Sequence, residues 1–515
     1  MKKRHFLHRL LALCVMAAIL LASTGAAFAE TAKENPYADL GFDLSEHKEI
    51  VMYVVSDRPA AMDRVLEIVN RDYMEPWLNV TLRIEFLPWG VVGTKYPLLL
   101  QGQGGESFDL IYTAAWMGYS GHAQNGAFLE LKPDFLQKYL PFSYNDMPAT
   151  AWDQASISGK IYAVPRSAAE FNTYNMILVR QDLLEKYGIQ ELTDWDSMIE
   201  AFKVIAEHEA ENGMYVIGQR AHNELLYQWW QKNNIAYLTS GYDFVFNNHG
   251  SDELPAPEDL QYMFLTDEFY QYCEIMAELA DKNIWSPNVL NDQTDVSVQF
   301  ESGRLAAMSW NASINSCGAN MEANGIGTYA IYDITPDAKT SRGSYADGMM
   351  SIPATCKDPE RAMLALDLMR AFPEVNRMLL GGIEGESWIL REDGYREIGP
   401  KADEYQWGCW AWGINRYDDP KLYNEDERQL FFEATCEKKE IQPKSAGFTF
   451  DVANVETEFS VVSSIVDEYY ASLTLGMYGE NLPAKYQEFV DKLHAVGIDD
   501  IMEELRTQYQ AYCDR

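Results

Sequence analysis

The chain has 515 residues, 47% of them hydrophobic, and a formal net charge of −37 at neutral pH. That is enough apolar material for a large core and enough length for more than one domain. So acidic a surface repels nucleic acid, which excludes it as a partner, and anionic membrane, but it says little about a cleft whose local charge can oppose the whole.

Lys2, Lys3, Arg4 and Arg9 precede an apolar run from Leu10 to Ala22, and Ala27-Phe28-Ala29 places small residues where a signal peptidase reads them. Residues 1–29 are therefore expected to be a secretory signal peptide cleaved before Glu30, and the protein to be secreted or held at the cell surface. The run is too short for a spanning anchor, and no later stretch reaches about 18 uninterrupted apolar residues. Outside the leader, Cys273, Cys317, Cys356, Cys409, Cys436 and Cys513 are scattered without C-x-x-C spacing. Disulfides and free thiols are equally open.

In chain order, Glu49–Val55 is strand-like, and Met62, Val65, Leu66, Val69 and Tyr73 follow at helical spacing. Val80, Leu82, Ile84 and Phe86 alternate with Thr81, Arg83 and Glu85, the pattern of a half-buried strand. A helix is expected around Tyr96–Gln103, then a buried strand beginning at Phe108 and running toward Trp116. Strand, helix, strand, helix, strand at these lengths implies a parallel, doubly wound sheet. A second set begins near Met176, where the spacing predicts a strand, then a helix stopped at Gly188, with further helices over 195–210 and 267–281. Residues 325–352 read as strand-rich and 358–372 as an amphipathic helix. Near the carboxyl end, Val455, Phe459, Val462, Val466, Tyr469 and Leu473 share one helical face ending at Gly476. A second helix is expected from Pro483 to Gly497, and a third from Ile498.

Particular stretches carry a resemblance. Phe108-Asp-Leu-Ile-Tyr-Thr-Ala-Ala-Trp116, followed by His122-Ala-Gln-Asn-Gly126 and Phe128-Leu-Glu-Leu131, is similar to the first lobe of the family 1 extracellular solute-binding proteins, the carbohydrate receptors of bacterial ABC importers. Gly382–Trp388 (GIEGESW), Gly447–Asp451 (GFTFD) and the helical tail resemble one subgroup of that family. The resemblance implies an α/β fold of two lobes, each a doubly wound sheet flanked by helices, with a helical carboxyl-terminal extension. It divides the chain into lobe 1 (45–168 and 325–385) and lobe 2 (169–324 and 386–515). It implies a monomer that captures a carbohydrate, an oligosaccharide in the first instance, and delivers it to membrane permease subunits. Lipid anchoring is frequent in the family, and Cys14, which follows Leu13 inside the apolar run, departs from that pattern.

Sugars present flat C–H patches beside rings of hydroxyls, so a sugar site needs aromatic faces together with charged or amide groups. Of 13 Trp and 31 Tyr, several stand at element ends. Asp57 and Arg58 follow the first strand and either face the cleft or cap a helix. Trp116 ends the third strand, placed for ligand contact or for packing between lobes. The resemblance implies that Glu170 and Tyr174, by the first crossing, and Trp310, after a strand, face the cleft. Trp388 is a further candidate. In Trp407-Gly-Cys-Trp410-Ala-Trp412, an extended backbone would point Trp410 and Trp412 to one side and Trp407 to the other. For all of these the alternative is a lobe core. Trp89, Trp229 and Trp230 are expected in cores.

Signals for catalysis are thin. There is no H-E-x-x-H, Gly118–His122 is one residue short of G-x-S-x-G, and Gly102–Ser107 matches a phosphate loop only loosely. No calcium-loop pattern occurs, so no cofactor or metal is expected. The competing expectations are a secreted glycoside hydrolase, which would also carry cleft tryptophans and paired carboxylates, and a receptor for peptides or acidic sugars.

Overall fold

The computed structural model describes residues 34–514, apart from 103–106, 168–175, 219–220, 240–241, 248–250, 293, 407–411, 413 and 415–419. The first sheet grows from the two apolar strands nearest the amino terminus. In β1 (Lys48–Val55), Ile50, Met52 and Val54 are buried. In β2 (Val80–Leu87), Val80, Leu82 and Ile84 point inward while Thr81, Arg83 and Glu85 are half-buried, so the alternation read from sequence is the observed pleat. They pair in parallel, Met52 opposite Ile84, and Met52 is also in register with Leu110 of β3 (Leu110–Thr113).

Five further strands complete the two main sheets. The first sheet has the order β2-β1-β3-β14-β6, with β6 spanning Ala163–Pro165 and β14 Met349–Ser351. It is mixed rather than wholly parallel, because β14 runs antiparallel to both β3 and β6. Its chain returns from the second lobe and enters the sheet from the opposite end, so no crossover helix is needed. In the second sheet β7 (Ile177–Arg180) lies between β11 (Ala307–Ser309) and β12 (Tyr329–Tyr332) and is antiparallel to each. The outer two strands are therefore parallel to one another around an oppositely directed centre. A separate antiparallel sheet joins β8 (Ile235–Tyr237), β9 (Phe244–Asn247) and β10 (Gln261–Tyr262).

Hydrophobic packing separates two bodies. One core gathers Ile50, Met52, Leu82, Leu110 and Tyr112 with Leu366 and Met369 of the helix Pro359–Ala371, and also Tyr405, Trp412 and Ile414. The other gathers Ile177, Phe202, Trp230, Phe244 and Phe264 with Val462, Leu473, Phe489 and Leu505. Two stretches thus lie in the opposite lobe from the one expected. Residues 329–332 complete the second sheet instead of belonging to lobe 1, since Tyr329 and Ile331 are the buried half of β12. Tyr405, Trp412 and Ile414, which lie in the stretch assigned to lobe 2, fill the lobe 1 core instead.

The carboxyl-terminal helices, α1 (Glu456–Thr474), α2 (Leu482–Ala495) and α3 (Ile498–Cys513), bury the face the sequence displays. At the end of α1, Gly476 has φ +68, and a Cβ there would stand 2.2 Å from Met276 O, so only glycine permits this close approach to the helix Asp267–Asp281.

One carboxyl in this lobe is poorly placed. Asp243, half-buried just before β9, has its pKa raised from 3.8 to about 6 by burial and by the nearby charge of Asp467. A carboxyl with a raised folded-state pKa favours folding below its unfolded value, progressively loses that contribution as pH rises through about 4 to 6, and is a net cost above. Asp243→Asn should therefore stabilise the protein by about 2 kcal/mol at pH 7. Thermal unfolding of both proteins from pH 4 to 8 should show the gain vanish near pH 4.

Candidate functional site

In the first sheet, β1, β2, β3 and β6 end on the same edge at which β14 begins, because β14 alone is antiparallel. The matching edge of the second sheet holds the start of β7 and the ends of β11 and β12. The described elements change lobe at three points along the chain. The first passage follows β6, and the second lies between β12 and β14. The third leads from Ile414 to the helix Glu427–Lys439. The crossings thus join the strand ends of one sheet to those of the other, the place where open α/β sheets bind ligands.

The second crossing is held to elements of both lobes. β13 (Thr340–Ser341) pairs in parallel with β17 (Glu440–Ile441), and Arg342 N donates to Ile441 O at 2.9 Å. Arg166, buried at the end of β6, donates to Ser344 O at 2.9 Å. Lys439, also buried, pairs with Asp333 at 2.7 Å and donates to Thr335 O at 2.6 Å. Burial pushes the Lys439 pKa down while the Asp333 charge opposes the shift. Removing either partner would strand the other charge.

On the lobe 1 edge the strand ends present two indoles. Trp116 sits in a tight turn directly after β3 and is 44% exposed, its Nε1 donating to Asp347 O at 3.0 Å. Tyr112 Oη donates to the same carbonyl, also at 3.0 Å. Trp89, directly after β2 and Pro88, is 42% exposed and stacks on Trp116 with centroids 6.1 Å apart and planes at 29°. The core expectation for Trp89 is thus overturned. The helix it opens, Trp89–Leu100, buries Tyr96 and Leu99, which leaves its first residue outside at the sheet edge. Its position after a strand, like that of Trp116, was the available signal.

Asp57 is exposed beyond β1 and is not a helix cap, since the next helix starts at Met62 with Ala61 at its N-cap. Arg58 donates to Ile84 O at 3.0 Å and to Asp63 at 2.5 Å, and it lies over the Phe86 ring, which draws it toward β2. Trp310, directly after β11 on the facing edge, is half-buried against the cluster of Met176, Leu178 and Met308. Beneath it, Gln228 Nε2 donates to Met176 O (2.8 Å) and Ser309 Oγ (2.7 Å). Gln228 Oε1 is buried with no partner among the described residues. Neither Arg166 nor Gln228 stands out in the sequence, because their neighbours are far away along the chain.

Two expected ligand contacts are packing residues. Trp412 is 0% exposed within the lobe 1 core. Trp388 is 7% exposed at the start of β15 (Trp388–Leu390), paired with β16 (Arg396–Ile398), and its indole N–H is spent on Gly382 O at 3.0 Å. Glu170, Tyr174 and Trp410, with Trp407, lie outside the described residues. Among the described residues no cluster of His, Cys, Asp and Glu is arranged to hold a metal ion, and no helix is long and apolar enough to cross a membrane.

The family model for the bacterial extracellular solute-binding proteins matches residues 65–371. The chain belongs to that family. Residues 444–514, the unit holding the three final helices, match a second model described as a domain of unknown function. A carbohydrate ABC transporter substrate-binding protein of Streptococcus pneumoniae is 23% identical over 91% of this chain and 92% of its own length. Among solved structures, the N-glycan transport solute-binding protein NgtS of S. pneumoniae, in complex with Man5GlcNAc, aligns with a TM-score of 0.63 at 20% identity, covering 90% of this chain and 98% of the other. The alginate-binding protein AlgQ2 aligns with a TM-score of 0.66 at 13% identity, over 91% and 99%. These neighbours share the two-lobed fold over nearly the whole length of this member of the family.

Proposed function

We propose that this solute-binding protein captures an oligosaccharide between its two lobes and passes it to the permease of an ABC importer, binding the sugar without cutting it. The observation that carries the reading is the exposed, nearly parallel pair Trp89–Trp116 on the strand-end edge of lobe 1, tied to the second crossing through Asp347. Indole faces suit the apolar patches of a pyranose, and the neighbouring Asp57 supplies an acceptor for hydroxyls. The names of the relatives, a carbohydrate transporter component and proteins for N-glycan and alginate, support a glycan as the solute. Export through residues 1–29, a place outside the membrane and action as a monomer belong to the same proposal.

Calorimetric titration with a panel of N-glycan-type and uronate oligosaccharides tests it. Micromolar affinity for at least one, on the order of 8 kcal/mol, is expected. Mass spectrometry of the recovered sugar should find it intact, and scattering at saturation should give a smaller radius of gyration as the lobes close. Shortened products would overturn the non-catalytic part, and no binding across the panel would overturn the glycan.

A further inference from the structure

The unit matched only as a domain of unknown function begins with a segment that reaches across to the other lobe. Its helices pack in the lobe 2 core, yet Asp451, just before α1, accepts hydrogen bonds from two lobe 1 side chains. These are Gln124 Nε2 at 2.6 Å and Ser158 Oγ. Asp451 is itself held to lobe 2, its backbone N–H donating to Gln508 Oε1 at 2.9 Å and its carbonyl accepting from Gln508 Nε2 at 2.8 Å. A few residues earlier, Ala446 O accepts from Gln154 Nε2 at 2.5 Å. The other end of that amide accepts from Ser344 Oγ (2.9 Å) and Tyr345 N (2.7 Å) of the second crossing. Gln154 therefore joins the second crossing to the start of the carboxyl-terminal unit, and Asp451 adds a second link from that unit to lobe 1.

Ser158 adds an independent observation. It stands in the turn between β4 (Ser156–Ile157) and β5 (Lys160–Ile161), with φ +50, followed by Gly159 at φ +76. A two-residue hairpin turn with both φ values positive is filled at lower cost by Asn, Asp or Gly than by serine. Serine at that position is locally unfavourable, and its hydroxyl is spent on the Asp451 carboxylate.

We propose that Asp451 is an interlobe tie, by which the carboxyl-terminal unit sets how far the two lobes separate in the absence of ligand. Gln124 ends the short helix Tyr119–Gln124 that follows the Trp116 turn, so the tie is mechanically connected to the candidate ligand platform. Asp451 Oδ1 also accepts from Ala453 N at 3.0 Å within its own turn, while both bonds from lobe 1 to the carboxylate are exposed to solvent, so each is modest, and together they bias an equilibrium rather than lock it.

The test uses the full chain without ligand, so its outcome does not depend on the glycan reading. Asp451→Ala and Ser158→Gly are compared with the unsubstituted protein by small-angle scattering and by hydrogen exchange of residues 119–124 and 447–451. Both variants should raise the population of separated lobes about fivefold, seen as a larger radius of gyration and faster exchange in the two segments. Ser158→Gly should do so with an equal or higher melting temperature, because glycine relieves the turn. Unchanged scattering and exchange in both variants would overturn the tie, as would a lower melting temperature for Ser158→Gly with the lobes unmoved.

Discussion

Replacing Trp412 with alanine should remove about 3–5 kcal/mol of stability, the usual cost of deleting a buried tryptophan side chain. The residue is wholly buried with Leu379, Tyr405 and Ile414, and the segment is pinned on either side. Asn376 Nδ2 donates to Ile414 O at 2.7 Å, and Tyr405 Oη donates to Leu379 O at 2.8 Å. With so many fixed neighbours the site has little room to collapse, which places the cost toward the upper end. Because Trp412 belongs to the lobe 1 core alone, calorimetry should show the transition of that lobe moving down while that of the other stays in place. Ligand affinity of the molecules that remain folded should be unchanged. A loss of affinity with normal stability would instead restore Trp412 to the ligand site.

The contrast between Trp412 and Trp89 explains how far the sequence could be read. Elements whose burial depends on near neighbours were legible. The alternation in β2 and the helical faces of Val462, Val466, Tyr469 and Leu473 appear in the structure as the spacing implies. The end of β3 was also legible, since Trp116 stands where a strand in such a sheet must stop. Burial decided by partners hundreds of residues away was not. Asp367, which accepts from Tyr37 Oη at 2.8 Å and Ser143 N at 2.8 Å, is a buried polar hub that no local pattern announces. The same holds for the lobe boundaries: β12 reads as a strand in either lobe, and only its pairing with β7 decides. Aromatic content alone cannot separate an indole that fills a core from one that waits at a cleft, since both are large and apolar.

The indoles at the cleft edge should behave in the opposite way to Trp412. Truncating Trp116 to alanine removes a ligand face and the bond to Asp347 O, and a buried aromatic anchor of a complex commonly contributes about 2 kcal/mol or more, roughly a thirtyfold loss of affinity. Trp89→Ala should cost a similar amount, because each ring holds the other in orientation. For the same reason the double variant should lose less than the sum of the two, as expected for neighbours in contact. Both residues are more than 40% exposed, so melting temperatures should change little. Trp116→Phe keeps an aromatic face but loses the N–H donor, and it should recover part of the affinity. Trp310, half-buried on the opposing edge, should lose both affinity and some stability on truncation. Calorimetric binding and thermal unfolding of these variants separate the roles. If Trp89→Ala and Trp116→Ala both bind as tightly as the unsubstituted protein, the pair is not the platform, and the ligand is held by other residues of the cleft.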